Sequence, residues 1–323
     1  MASQTSQVEQ RSNVRIFIEN IRKIREEEWG DISGYLFVAP LFILWMVFGG
    51  YPYIRGLLIT LQDYRVYERE SWSLFNSFIG LQNFVEIFSD EYFWSGIKAA
   101  FYLYLSWFPA SFIISLGTAV VLNRVKRARI STVYRVLMTL PWVIPMAASM
   151  PMWQQIYEPN FGYLNYFLRD VLGIWAHPPA WISDPFWYWP AIGIAAIWKG
   201  FGYYMLLFLI GLYNIPQEHY EVAILDGANW WQKLWYLELP SIRNILLLFF
   251  VTNAGFLGAG VVEMQTFGQG PANIGKTIAL RGYEAAFTGS MRLGYGSAIN
   301  FSIGLANLIL VALVFRFFKS EKA

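Results

Sequence analysis

The chain has 323 residues, 56% of them hydrophobic and 14% charged, with no cysteine and a formal net charge of +2; its mean hydropathy is +0.37. A charged share so far below the roughly 25% usual in soluble domains excludes water as the main solvent. The lack of cysteine excludes disulfides, thiolate catalysis and cysteine-held metals, and the near-neutral charge balance argues against a nucleic-acid partner.

The first 30 residues lack the short apolar core of a cleaved signal peptide, so the first span is expected to direct insertion itself. Within them Val14, Phe17, Ile18, Ile21 and Ile24 recur at helical spacing among Arg and Lys. Such a stripe suits either an interfacial helix on the anionic cytoplasmic leaflet or a helix packed on the bundle. Hydrocarbon about 30 Å thick requires roughly 20 apolar residues in helix. Six stretches approach that length: 34–57, 97–122, 134–156, 186–213, 245–263 and 295–318. The expectation is an all-α integral membrane fold with about six transmembrane helices, comprising an N-terminal segment 1–33, a membrane domain 34–318 and a tail 319–323.

Orientation follows from the basic residues, which short cytoplasmic segments retain. Both termini inside would place fifteen of the 24 Lys and Arg on the cytoplasmic face. These are Arg11, Arg15, Arg22, Lys23 and Arg25, then Arg124, Lys126, Arg127, Arg129 and Arg135, then Lys233, Arg243, Arg316, Lys319 and Lys322. The outer loops would hold Arg65, Arg69, Arg169, Lys276, Arg281 and Arg292. Three outer connections, 62–93, 158–185 and 264–294, are rich in aromatics, Gly or Pro and long enough to fold against the spans or a docked partner.

The inner connection 214–244 reads NIPQEHYEVAILDGANWWQKLWYLELPSIRN. Pro216 suits the first turn of a helix, Gly227 its stop, and Pro240 the end of a second helix before span five. Tyr220, Ala223, Ile224 and Gly227 fall on one small, apolar face, while Glu221 and Asp226 add negative charge. Such a surface invites a partner. Trp230, Trp231 and Trp235 equally suit a helix pair lying against the bilayer.

Residues 270–277, GPANIGKT, fit the phosphate-loop pattern G-x-x-x-x-G-K-[ST] letter for letter. That loop should follow a buried strand and open a helix on the nucleotide side. Here it follows a membrane span on the expected outer face, so the pattern is read as coincidence.

Polar groups inside spans are functional-site candidates by default, and Lys199, Asn253, Glu263, Asn300 and Asn307 are the ones to weigh. Lys199 lies midway along the fourth span beside Trp198, with Tyr203 and Tyr204 on the next turn, a mixture able to stack on a sugar ring and hydrogen-bond its hydroxyls. An ion pair of Lys199 with a carboxylate such as Glu263 is the favoured alternative, and Asn253 and Asn300 suit interhelical hydrogen bonds.

The inner connection resembles the signature of the binding-protein-dependent permease subunits of type I ABC importers, E-A-A, three residues, G, nine residues, I-x-L-P. Glu221, Val222, Ala223, Gly227, Leu237, Leu239 and Pro240 stand at matching spacing, and Asp226 and Ala228 complete the D-G-A of the sugar-transporting branch. Val222 and Leu237 are conservative departures. FIGLQNFVEIF, FLRDVLG with WISDP, and IWKGFGYYM also resemble that branch, so the likeness covers nearly the whole chain after Gly34.

The resemblance implies half of a substrate pathway in a bacterial cytoplasmic membrane. Its partners would be a second permease subunit, two cytoplasmic ABC ATPases and an extracytoplasmic solute-binding protein docking on the outer loops. ATP and Mg would sit on the ATPases, with no cofactor in this chain. Glu221, Ala223, Asp226, Gly227, Leu239 and Pro240 would form the ATPase contact. Trp198, Lys199, Tyr203, Tyr204 and Asn253 are the candidates along the path. A Gly- and Pro-rich turn after span five is also a family feature. Against a secondary transporter, only Glu263, near a span end, offers a coupling carboxylate. Against an intramembrane enzyme, the two histidines, His177 and His219, fall in predicted loops.

Overall fold

The computed structural model describes residues 34–125 and 127–319. The apolar stripe between Val14 and Ile24 lies outside them, as do the last four residues of the tail. Among the described residues the secondary structure is helical, with two isolated β-bridges, Gln62 to Phe78 and Arg65 to Arg292. Contacts divide the chain into two units, Met1–Leu58 and Ile59–Ala323.

The first unit carries most of helix α1, Gly34–Thr60, 27 residues of mean hydropathy 1.7. Its large apolar side chains, Phe37 and Leu41 among them, are exposed, a surface suited to hydrocarbon rather than water. At 1.5 Å per residue the helix is about 40 Å long, enough to cross a bilayer with some tilt.

The second unit is built on two long helices, α3 (Glu91–Asn123) and α6 (Tyr188–Tyr213), which pack along one another. Short α2, Gln82–Ser89, precedes them. Small residues let these backbones approach, as expected where packing rather than water drives association. Ser115 on α3 donates to the Phe201 carbonyl at 3.0 Å, and a Cβ on Gly193 would overlap the Ser106 carbonyl.

The third expected span is not straight. Its parts, α4 (Ala128–Val143) and α5 (Met146–Ile156), meet at 96°. The cause is local: Ile144 precedes Pro145, whose ring disfavours helical geometry at the preceding residue, and Ile144 is extended at φ −68°, ψ 127°.

The expected fifth span, 245–263, is corrected more deeply. Within it the helix ends at Asn253, and an irregular stretch with Gly255, Gly258 and Gly260 follows before the short helix Val261–Phe267 begins. Glycine loses more freedom in a helix than any other residue, and Gly260 adopts φ +93°. The eleven residues Arg243–Asn253 rise only about 16 Å, roughly half a hydrocarbon layer.

Among the described residues, four helices are therefore long and apolar enough to cross a membrane, and up to six spans result if each bent pair counts as one. With α7 (Gln217–Leu225) and α8 (Trp230–Ser241) between α6 and Arg243–Asn253, the latter is α9 and Val261–Phe267 is α10. Helix α11, Ile278–Phe287, packs on α12, Leu293–Lys319, and on α3.

The connections 62–93 and 158–185 are folded rather than open loops. Asn83 donates to the carbonyls of Thr60 at 2.8 Å and Gln62 at 2.9 Å. Trp181 donates to Asn165 Oδ1 at 2.6 Å and packs edge-on against Trp175 and Trp187.

Candidate functional site

The connection after α6 forms a helix, a tight turn and a second helix. Pro216 sits immediately before α7. Beyond the helix the Gly227 amide donates to the Ile224 carbonyl at 3.0 Å and the Ala228 amide to the Ala223 carbonyl at 2.9 Å. These are the paired bonds of a Schellman stop, which requires a left-handed residue between them. Gly227 supplies it at φ +73°. Asn229 then opens α8 with a reciprocal capping box to Gln232. The second helix runs past Pro240, contrary to expectation: Pro240 lies in a last short turn and the 70° break to α9 falls at Ile242.

The pair is fastened from within by a residue the sequence did not single out. Glu238, with a 1% exposed side chain, accepts from Arg124 Nη2 at 3.2 and 3.4 Å. The Tyr220 hydroxyl also donates to Glu238 at 3.4 Å and accepts from Asn123 Nδ2 at 3.4 Å. Burial, reinforced by the Glu238 charge, pushes the Tyr220 phenol up to about 12, so it stays a neutral donor. Arg124 also stacks over the Trp230 ring at 5.0 Å. The available signal was a carboxylate between Leu237 and Leu239, an acid where packing demands an apolar group.

The outer face is open. Glu221, Val222, Ile224, Leu225 and Asp226 are exposed, while Tyr220 and Ala223 of the small, apolar face are half-buried. A groove of about 380 Å³ between the helices is lined by His219, Val222, Ala223, Gly227, Tyr236 and Leu237 among others. Ala223 and Leu239 are half-buried and Pro240 is exposed; Leu239 packs with Phe208, Leu212 and Ile242 in the core beneath.

Of the residues weighed for the path, Lys199, Tyr203, Tyr204 and Asn253 form one chain of contacts through Trp142, whereas Trp198, Asn300 and Asn307 make theirs elsewhere. Lys199 does not pair with Glu263. Its amine donates to the carbonyls of Pro141 at 3.0 Å and Trp142 at 2.7 Å. In a continuing helix the Pro141 carbonyl would face the nitrogen of residue 145, but that residue is proline and has no N–H to give. The lysine caps the C-terminal carbonyls of α4, where a cation also suits the helix dipole. Tyr203 stacks on Trp142 with centroids 4.5 Å apart. Tyr204 donates to Asn253 Oδ1 at 2.8 Å, joining α6 to α9. Asn300 bonds the Gly296 carbonyl of its own helix, and Asn307 reaches the Gly255 carbonyl at 3.4 Å. Trp198 turns away to meet Trp153 edge-on.

The phosphate-loop lookalike has a different geometry from a phosphate cradle. No strand precedes it among the described residues. The amides of Asn273, Ile274, Gly275 and Lys276 donate to carbonyls within 269–273, and Lys276 is ion-paired with Glu284. The loop folds against Tyr188, whose hydroxyl donates to the Gly268 carbonyl at 2.9 Å.

Long apolar helices broken at two places, with an exposed helix pair between two of them, describe a membrane-embedded chain. The fold is that of the crystal structure of a bacterial ABC transporter involved in import of the acidic polysaccharide alginate. The match has TM-score 0.77, 21% identity, and covers 92% of this chain and 100% of that one. A bacterial alginate ABC transporter in complex with an alginate pentasaccharide-bound periplasmic protein matches at TM-score 0.73 and 22% identity, over 88% and 95% of the two chains. Residues 111–320 match the binding-protein-dependent transport system inner membrane component, and the chain belongs to that family of ABC transporter permeases.

The lactose transport system permease protein LacF of Rhizobium radiobacter is 30% identical, over 88% of this chain and 93% of its own. The trehalose/maltose permease MalF of Thermococcus litoralis is 29% identical, over 83% and 87%. The sn-glycerol-3-phosphate permease UgpA of Salmonella choleraesuis is 28% identical, over 89% and 94%. These relatives are permease subunits, membrane components rather than enzymes.

Proposed function

We propose that this chain is the permease subunit of an ATP-driven importer for a sugar or oligosaccharide, forming half of the translocation pathway. A second permease subunit completes the pathway, two cytoplasmic ABC ATPases carrying ATP and Mg drive it, and an extracytoplasmic solute-binding protein delivers substrate to the outer loops. Both termini are cytoplasmic, and the 270–277 loop is external and binds no nucleotide. Relatives named for lactose, trehalose/maltose and sn-glycerol-3-phosphate support a small carbohydrate or its derivative as cargo.

One observation carries the coupling role: the α7–α8 pair is rigid within and bare outside. The Schellman stop and capping box fix its turn, and Glu238 fixes its inner face. Meanwhile Glu221, Asp226 and the groove-lining side chains face outward. A rigid body with an open anionic and apolar surface can take a push from a docked ATPase and pass it to the spans on either side, α6 and α9. Rocking of two such halves gives alternating access. Along the path, Tyr203 with Trp142, and Tyr204 with Asn253, offer ring faces and hydroxyls to a sugar.

The test is co-purification of the tagged chain from membranes with an ATPase and a second permease, followed by uptake in proteoliposomes. The panel comprises radiolabelled lactose, trehalose, maltose, sn-glycerol-3-phosphate and alginate oligosaccharides. Uptake that requires ATP and a binding protein supports the reading; uptake by the chain alone, driven by an ion gradient, overturns it.

A further inference from the structure

Glu238 has no part in the outward surface, yet it is a carboxylate with a 1% exposed side chain at the point where three helices meet. Arg124 ends α3, Tyr220 belongs to α7, and Glu238 lies near the end of α8. Arg124 holds α8 at two places, its guanidinium bonded to Glu238 and stacked on Trp230 eight residues earlier. The surrounding contacts, among Leu122, Leu212, Leu234 and Ile242, are apolar, and apolar contact is non-directional, so surfaces joined by it alone can slide.

Charge-assisted bonds have a fixed direction, and a buried carboxylate left without its partner is strongly disfavoured. We infer that the Arg124–Glu238 ion pair is a positioning contact that makes the helix pair move as one body with the inner end of α3, so that ATPase motion reaches the α3–α6 core and not only the helices adjoining the pair in sequence. The inference rests on the coupling reading above. It adds a second route for force, through side chains rather than through the continuous chain into α6 and α9.

The test uses the assembled complex in proteoliposomes, with three readings: ATPase retained in pull-down, ATP hydrolysed, and uptake of whichever radiolabelled sugar of the panel the wild-type complex accumulates. Glu238→Gln keeps the shape and removes the charge, Arg124→Gln removes the other partner, and Arg124→Lys keeps the charge without the planar fork. Both Gln variants should retain the ATPase and hydrolyse ATP, while uptake per ATP falls roughly 2- to 30-fold. The double variant should be no worse than either single one, and Arg124→Lys should recover part of the loss.

Unchanged uptake per ATP in the Gln variants overturns the inference, as does loss of the ATPase from them, which would make the pair a shaper of the docking surface instead. Should Glu238→Gln fail to insert, the Arg124 variants, altered at a partly exposed side chain, carry the same comparison. Failure of the wild-type chain to retain an ATPase would count against the coupling reading itself, a result distinct from either.

Discussion

Lys199 of α6 donates to the Trp142 carbonyl of α4 at 2.7 Å, and so closes the end of a helix that Pro145 prevents from continuing. A buried charge in a membrane protein is here a cap for a broken span. Lys199→Met should leave the Pro141 and Trp142 carbonyls without this partner and destabilise the bundle by about 1–3 kcal/mol. A lowered melting temperature in detergent, with normal insertion, is the expected reading. Unchanged stability together with lost substrate uptake would assign the lysine to cargo.

Gly227 has a left-handed φ of +73°, and a Cβ built there meets nothing within 4 Å. Backbone strain alone, not crowding, should therefore decide the effect of substitution. Gly227→Asn should be mildest, Gly227→Ala intermediate and Gly227→Val worst, within about 1–3 kcal/mol. That is too little to unfold the membrane domain but enough to misplace α8. Uptake in proteoliposomes should fall in that order while expression stays constant; equal loss in all three would point to a contact made by the glycine itself.

On the opposite side of the bundle, Arg292 grips Glu86 through two bonds of 2.5 and 2.7 Å. The guanidinium holds the Glu86 carboxyl below its ordinary 4.5. A depressed folded-state pKa stabilises above the unfolded value, and the contribution disappears as pH falls through the folded value. Proteolysis of the 62–93 connection should thus increase below about pH 4.5, and Glu86→Gln should remove part of that dependence. The side chain is 44% exposed, so the effect at neutral pH should not exceed about 1 kcal/mol.

Lys276 is engaged by Glu284 in a loop whose amides are already bonded to its own carbonyls. Lys276→Ala should leave ATP hydrolysis by the assembled complex unchanged. A matching fall in nucleotide binding by the isolated chain would restore the phosphate-loop reading.

The sequence carried the helical spans and the helix–turn–helix connection because both are written locally. Long apolar runs report the solvent, and Pro216 and Gly227 each have a backbone role set by their own chemistry. What was misread had two causes, local helix breakers and contacts distant in sequence. The break at Ile144 follows from Pro145 and was visible in principle, but a hydropathy window averages over it. The glycines 255–260 likewise pass as apolar residues, although they end α9. Lys199 was paired with Glu263 on the rule that buried charges seek opposite charges; a carbonyl orphaned by proline, 58 residues away, was the partner instead. Glu238 escaped notice because its partner Arg124 lies 114 residues earlier, in a basic run read only for topology.

The central claim is that the outer face of α7 meets a cytoplasmic ATPase, and one crosslinking measurement tests it most directly. The chain is free of cysteine, so Leu225→Cys, at an 86% exposed position, gives a single attachment point for a photoactivatable maleimide in native membranes. The account predicts a crosslinked product that contains the ATPase and disappears when Glu221→Lys is added. Crosslinking to lipid alone, with the ATPase still bound to the Glu221→Lys chain, would contradict it and make α7 and α8 a pair of helices lying on the bilayer.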